Sequence, residues 1–222
     1  MPPLPDRLFN PVAAVYRRFG RVVPCDVARV YRLETGGVRA PRADASGFEF
    51  RFLSADEMQR FSGVAETAMT ADAAELVADG AATCFAALKD GELAAYACFG
   101  MGEVEAEHNR GGGRLAGIGL QLDEQARFLF KAFAVPRFRG HALMSWVIFH
   151  ACQVLQTLGV REIVTTTDWT NRAFQISAER CGFRLCGHTA EMKLFGRHFY
   201  RYPDLDEAPF RFVGGLVGQG SA

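Results

Sequence analysis

The spacing of apolar residues changes period several times along the chain, and each change marks an element. Phe128 to Val135 is an almost unbroken apolar run, as expected of a strand buried on both faces. It stops at Pro136, which has no N–H to give to a sheet ladder. After a tight basic turn, Arg137-Phe138-Arg139-Gly140-His141, apolar positions recur at helical spacing from Ala142 to Leu158, through Leu143, Val147, Cys152, Val154 and Leu155. Gly159 is placed to close that helix. Ile163 to Thr167 reads as a β-branched strand, and Thr170 or Asn171 as the cap of a shorter helix ending at Gly182. Strand, turn, helix, strand, helix is a crossover unit. The free N–H groups at the start of its first helix, beside arginines and a glycine, suit a phosphate-bearing ligand; a plain solvated turn would look the same.

Other segments arrange themselves around this unit. Residues 7–20 carry an apolar stripe of Leu8, Val12, Val15, Tyr16 and Phe19, and Val27 to Leu33 reads as a strand. Glu34 to Gly47, with glycines and Pro41, reads as a linker. Phe48, Phe50 and Phe52 alternate with Glu49 and Arg51, the mark of a half-buried strand, and Ser54-Ala55-Asp56-Glu57 is a capping box. A helix is expected over Ala71 to Ala78, then two strands, Thr83 to Leu88 and Leu93 to Phe99, turned at Asp90-Gly91. Residues 102–117 read as a polar loop; its glutamates lack metal-ligand spacing to His108, so no metal is expected. Gly117 to Leu122 reads as a strand, Arg184 to Leu194 and Arg197 to Tyr202 as a hairpin, and the tail from Pro203 as loose at its end. The resulting expectation is an N-terminal extension over 1–47, a catalytic-size domain over 48–202 and a tail over 203–222.

Composition narrows the function classes. The 222 residues are 49% hydrophobic with a formal charge of zero, which argues against disorder and against a nucleic-acid partner. No apolar run reaches membrane-span length, MPPLPDR lacks a signal-peptide core, and the six cysteines form no C-x-x-C pair. Core thiols in a cytoplasmic protein are the expected reading. Charge is uneven: eight arginines against Asp6, Asp26 and Glu34 lie within residues 1–42. Residues 7–42 could therefore contact an acidic membrane surface, or the stripe could simply pack on the main domain; the packed reading is preferred.

Val135-Pro136-Arg137-Phe138-Arg139-Gly140 resembles the start of the acetyl-coenzyme A loop of the GNAT acyltransferases. Asn171 followed by Gly182-Phe183 resembles that family's second landmark, N-x(10)-G-F. The resemblance covers roughly residues 48 to 202. It implies a mixed α/β fold with a central mixed sheet of about six to seven strands and flanking helices, here with a helix–strand extension at the N-terminus. It also implies transfer of an acetyl group from acetyl-CoA to the amine of a small molecule, with a homodimer as one possible assembly. By position, the backbone of Ala132, Phe133 and Ala134 would meet pantetheine. The N–H groups of Gly140, His141, Ala142, Leu143, Met144 and Ser145 would face the pyrophosphate, with Arg139 adding charge. Asn171 would bond the pantetheine arm or cap its own helix.

The chain departs from the family at several of these positions. Ala142 and Met144 stand where glycines are usual, Ala178 where a tyrosine often serves as the acid, and Thr166 where some relatives carry a glutamate. No catalytic residue is assigned; the candidates are Asp168, which could equally hold a turn, Lys131 and His141. Lys131, a lone cation in an apolar strand, would meet a substrate carboxylate or a structural acid such as Asp123 or Glu191. A relative that keeps the fold and has lost catalysis, serving as a binding or assembly module, is the alternative.

Overall fold

The computed structural model describes residues 24–109, 118–195, 197–203 and 208–213, together with Arg18. The helix expected over residues 7–20 lies outside the described residues. In chain order the elements are β1 (Cys25–Glu34), β2 (Glu49–Phe52), α1 (Ala55–Ser62), α2 (Ala71–Ala78), β3 (Ala82–Lys89), β4 (Glu92–Gly100), β5 (Glu103–Val104), β6 (Gly119–Leu122), β7 (Ala126–Ala134), α3 (Leu143–Thr157), β8 (Glu162–Asp168), α4 (Arg172–Cys181), β9 (Arg184–Leu194), β10 (Arg197–Arg201) and β11 (Phe210–Val213).

Eight strands form the main sheet in the order β10-β9-β1-β8-β7-β4-β3-β2, and β7–β8 is its one parallel pair. That pair is joined by α3, because parallel neighbours need a crossover. The hairpin β3–β4 turns at Asp90 and Gly91, both at positive φ (52° and 80°), as a two-residue hairpin requires. Helices α3 and α4 cover one face, over Tyr31, Leu33, Phe85, Ala95, Ala97 and Phe99. Alanines at 87, 94, 95 and 97 leave room for α3 to lie close to the sheet. Helices α1 and α2 cover the other face over Cys84, Ala86, Tyr96 and Cys98, beside a small sheet ordered β11-β6-β5. Cys84, Cys98, Cys152 and Cys181 are buried thiols.

Three expectations gain detail. The strand of the N-terminal extension, β1, lies between β8 and β9, pairing with both, and with it the main sheet has eight strands, close to the six or seven expected. Its residues Val30, Tyr31 and Leu33 are fully buried, and Arg32 forms a two-pronged ion pair with the carboxylate of Glu162 on β8. The segment after it is strapped down rather than free. Thr35 N–H donates to Arg161 O (2.9 Å), Arg39 N–H to Cys181 O (2.9 Å) and Trp146 Nε1 to Ala43 O (2.9 Å). Gly182 shows why this close approach needs a glycine: its φ is +105° and a Cβ would stand 3.0 Å from Gly37 O. Finally, within the tail Phe210–Val213 pairs with β6, and Glu103–Val104 makes a strand of part of the expected polar loop.

The capping box at α1 is present in both directions, and Arg51 holds the Glu57 carboxylate through two hydrogen bonds of 2.7 and 2.9 Å. That guanidinium, with the Ser54 N–H, holds the Glu57 pKa down from 4.5 to about 2. A depressed folded-state value means that the stabilisation is complete above pH 4.5 and fades as pH falls toward 2. Glu57→Gln should therefore lower stability at pH 7 by about 0.5–1 kcal/mol, and the difference from the parent should vanish near pH 2 in urea titrations. Because β1 is interior, Leu33→Ala should cost about 2–5 kcal/mol by urea unfolding. A fragment of residues 48–202 should show no cooperative transition by circular dichroism.

Candidate acyl-coenzyme A and acceptor site

The site is a gap that the two parallel strands leave open. Strand β7 pairs with β8 only through Ala126–Glu162, Arg127–Ile163 and Phe128–Val164, although β7 runs on to Ala134 and β8 to Asp168. On its other edge β7 carries a bulge. Cys98 faces Lys131 and Phe99 faces Leu129, so Phe130 is an extra residue without a partner on β4. A bulge bends its strand and increases its twist, which turns the end of β7 away from β8. The last tie between the two is a side chain: Thr165 Oγ1 donates to Leu129 O at 2.8 Å. β7 is consequently half-buried from Phe130 onward, where continuous burial was expected.

Beyond that point lies a cleft of about 370 Å³. One wall is Leu129 to Ala132, the opposite wall Thr165 to Thr167 with Asn171, and Glu107 and His108 lie across it. Val135 N–H donates to Ala94 O at 2.9 Å, which fixes the alternation along β7. The N–H and C=O of Ala132 and Ala134 then point away from β4 into the gap, whereas those of Phe133 belong to the ladder. Of these groups, Ala134 O already accepts from Arg139 Nε at 3.1 Å.

The turn after β7 is a short 3-10 segment, Pro136–Phe138, followed by two left-handed residues, Gly140 (φ +99°) and Ala142 (φ +51°). Arg137 is occupied, bridging Glu66 (3.1 Å) and Glu92 (2.9 Å), while Arg139 lies over the Phe133 ring. α3 starts at Leu143 without a side-chain cap and without an acid in its first turn, and its first helical bond runs from Trp146 N–H to Ala142 O (3.1 Å). The N–H groups of Leu143, Met144 and Ser145 precede that bond and form the positive end of the helix dipole. Met144 packs its side chain on the main core and does not line the cleft.

The remaining expected residues fall into two groups. Lys131, Ala132 and Asn171 come together at the cleft. Asn171 is also the cap of α4, its Oδ1 accepting from Phe174 N–H at 3.2 Å while its Nδ2 donates to Thr167 Oγ1 at 3.2 Å. Asp168 is turned elsewhere: its Oδ1 accepts from Thr170 N–H (2.6 Å) and from the Thr170 hydroxyl, a turn role, and it does not line the cleft. His141 is exposed beside Phe48, also off the cleft. Lys131 reaches neither Asp123 nor Glu191. Its Nζ donates to Thr70 Oγ1 (3.1 Å), and Glu191 is buried against His198 instead. Burial pushes the Lys131 pKa down, opposed by the charge of Asp72 among others. Ala178 is buried in the core, so nothing at that position offers a proton.

Sequence reasoning placed residues 102–117 over the acceptor side as a loop but did not single out Glu107 and His108, which line the cleft, or Asn109 next to them. Asn109 is buried, donates to Ile118 O and accepts from the Thr166 hydroxyl, which ties the 3-10 turn Ala106–Asn109 to β8. Glu105, Glu107 and His108 gather their polar atoms within 4.8 Å of one another, the glutamates being exposed. The signal was the lone buried-type polar Asn109 ending an acidic stretch, visible only once β8 supplies its partner.

The model of the acetyltransferase (GNAT) family matches residues 50–183. The chain belongs to that family. A Drosophila protein of known structure superposes with a TM-score of 0.51 at 13% identity, covering 87% of this chain and 59% of that one. A GCN5-related N-acetyltransferase from Kribbella flavida superposes with a TM-score of 0.50 at 16% identity, covering 83% and 61%. A GNAT-family protein described as an acetyltransferase from Novosphingobium aromaticivorans gives 0.47 at 16% identity, covering 75% and 63%. This chain thus spans about three-fifths of the length of these structures. No curated protein matches the sequence. Among the described residues no helix is long and apolar enough to cross a membrane.

If Asn171 acts on the fold mainly as a cap, Asn171→Ala should cost about 1 kcal/mol in urea unfolding. Asn171→Asp keeps the acceptor and should stay within about 0.5 kcal/mol of the parent.

Proposed function

We propose that the chain is an acyl-coenzyme A-dependent N-acyltransferase that moves an acetyl group from acetyl-CoA to the amine of a small molecule. The single observation that carries this reading is the gap between β7 and β8 ending at an uncapped helix start. The N–H and C=O of Ala132 and the N–H of Ala134 face the gap and suit amide partners such as those of pantetheine, while Ala134 O is taken by Arg139. Phe133, whose own N–H and C=O serve the ladder, contributes its ring under Arg139. The N–H groups from Gly140 to Ser145, with Arg139, suit a diphosphate. Asn171 stands at the junction of cleft and α4.

The bound thioester supplies an activated acetyl carbon: an N–C bond forms, the C–S bond breaks, and the amine proton is finally carried by the thiol. The chain's own contribution is chiefly positioning and proton handling. Glu107 and His108, across the cleft from β7, are the groups placed to take the proton of an incoming amine. With Ala178 in the core, the thiol takes its proton from solvent or from the amine itself. The arginine-rich N-terminal stretch finds a structural use in this reading, since Arg32 and Arg29 are bonded within the fold to Glu162 and Gln175. A module that binds the coenzyme without turnover is the second reading, favoured by Ala178.

Isothermal titration with acetyl-CoA should give saturable heat in the micromolar range. Thiol release with a broad amine panel should then exceed hydrolysis alone. Folded protein that takes up no acetyl-CoA overturns the proposal, and binding without amine-dependent thiol release selects the module.

A further inference from the structure

Lys131 is a cation in an expensive place. It sits mid-strand in β7, half-buried, where Leu129, Ala132 and Phe133 show what the sheet otherwise accepts. Removing a charge from water costs free energy, which is the main cause of its lowered pKa, and the charge of Asp72 offsets only part of that. Among the described residues it forms no salt bridge, and its one hydrogen bond is to a neutral hydroxyl, that of Thr70 at the start of α2. The acid whose charge bears on it, Asp72 in the first turn of α2, forms no salt bridge with it. A Met or Leu would fill the same volume at no electrostatic cost. The opposite side of the cleft has the reverse sign: Glu107 lines it, with Glu105 close by and His108 between sheet and solvent. Cation on the strand wall and carboxylates across from it make a dipolar cleft.

We propose that the acceptor is an amine that also carries a carboxylate, an amino acid or a close derivative, with Lys131 binding the carboxylate and the Glu107–His108 side receiving the amine. This deepens the acyltransferase reading and rests on it. Pairing with the substrate carboxylate supplies the contact ion pair that Asp72, which makes no salt bridge with Lys131, does not provide. The same cation close to the acceptor disfavours its ammonium form, so the free amine needed for attack is favoured. In the balanced reaction the amine nitrogen takes the acetyl carbon, its proton passes to His108 or Glu107 and on to the thiol, and the carboxylate is unchanged.

Two measurements test this. The first needs no coenzyme: calorimetry of the protein with N-acetyl derivatives of glycine, leucine, phenylalanine and glutamate, each beside its carboxamide. At least one acid should bind about tenfold more tightly than its amide, as one charge-assisted pair allows. Lys131→Met should erase that difference and Lys131→Arg should keep part of it, with circular dichroism confirming the fold. The second measurement is the ratio of kcat/KM for free amino acids over their amides, which should fall about tenfold in Lys131→Met. Equal binding of every acid and amide by the parent protein overturns the inference. So does a uniform loss of kcat for acids and amides alike, which would mark Lys131 as acting on the thioester. If acetyl-CoA binds and turns over while acids and amides are equal, only this inference fails. If acetyl-CoA does not bind, the acyltransferase reading fails, and the acid–amide comparison still decides what Lys131 holds.

Discussion

The proposed site depends on two parallel strands that stop pairing after three residues. A gap within a sheet is costly, because backbone N–H and C=O groups are left without ladder partners. The cost is contained by clamping each strand from its outer side. β7 stays in register with β4 up to Ala134 despite the bulge at Phe130. β8 stays in register with β1 along its whole length, from Glu162 to Asp168. The Thr165 hydroxyl on Leu129 O marks where main-chain pairing gives way to a side chain. The strands therefore diverge as rigid edges, and the N–H and C=O of Ala132 and the N–H of Ala134 face the gap at fixed positions, Ala134 O being held by Arg139.

That arrangement gives β1 a task its place in the chain does not suggest. Were β8 an edge strand, its free side would offer a competing set of unpaired groups and little to hold its angle against β7. β1 occupies that side, with the Arg32–Glu162 pair and the buried Tyr31 and Leu33 fixing it, and β9 continues the sheet beyond. The Thr35–Ala43 strap then carries the chain across the ends of α3 and α4 to β2 at the far edge. Two arginines of the basic N-terminal segment are spent in this packing, so its charge surplus overstates how much cation is left for a surface.

Local order was readable wherever one period ruled. The helices at 71–78 and 143–157, the capping box at Ser54, the Asp90-Gly91 hairpin and the Gly159 and Gly182 stops follow from spacing and turn chemistry alone. What could not be read were the long-range decisions. Val27 to Leu33 shows itself as a strand, but nothing in its letters says it pairs with residues more than a hundred positions away. Phe210–Val213 is four residues whose partner is β6, too short to announce itself after a glycine- and proline-marked tail. The same holds in the site. The loop and Asn171 carry recognisable letters, whereas Glu107, His108 and Asn109 gain meaning only when β8 brings Thr166 to Asn109. Lys131 was conspicuous as an oddity; its neighbour Thr70 was not inferable.

The two glycine replacements in the loop have different physical consequences. Ala142 still takes a left-handed conformation, φ +51° and ψ 29°, which costs an alanine about 1–2 kcal/mol relative to the right-handed region. The fold accepts this because α3 is anchored immediately afterwards by Leu143 and Val147 in the core, so the turn is imposed from both ends. Met144 is already helical, where a Cβ is no hindrance, and its long side chain has a route into the main core beside Phe138. The backbone amides thus keep their direction although neither residue is glycine. A glycine at such positions serves close approach of a ligand to the backbone, and here that approach must be made past one methyl group at Ala142 rather than past a methionine. The strain at Ala142 fixes the direction of the donors that follow it, which is the pattern that the proposed diphosphate contact would need.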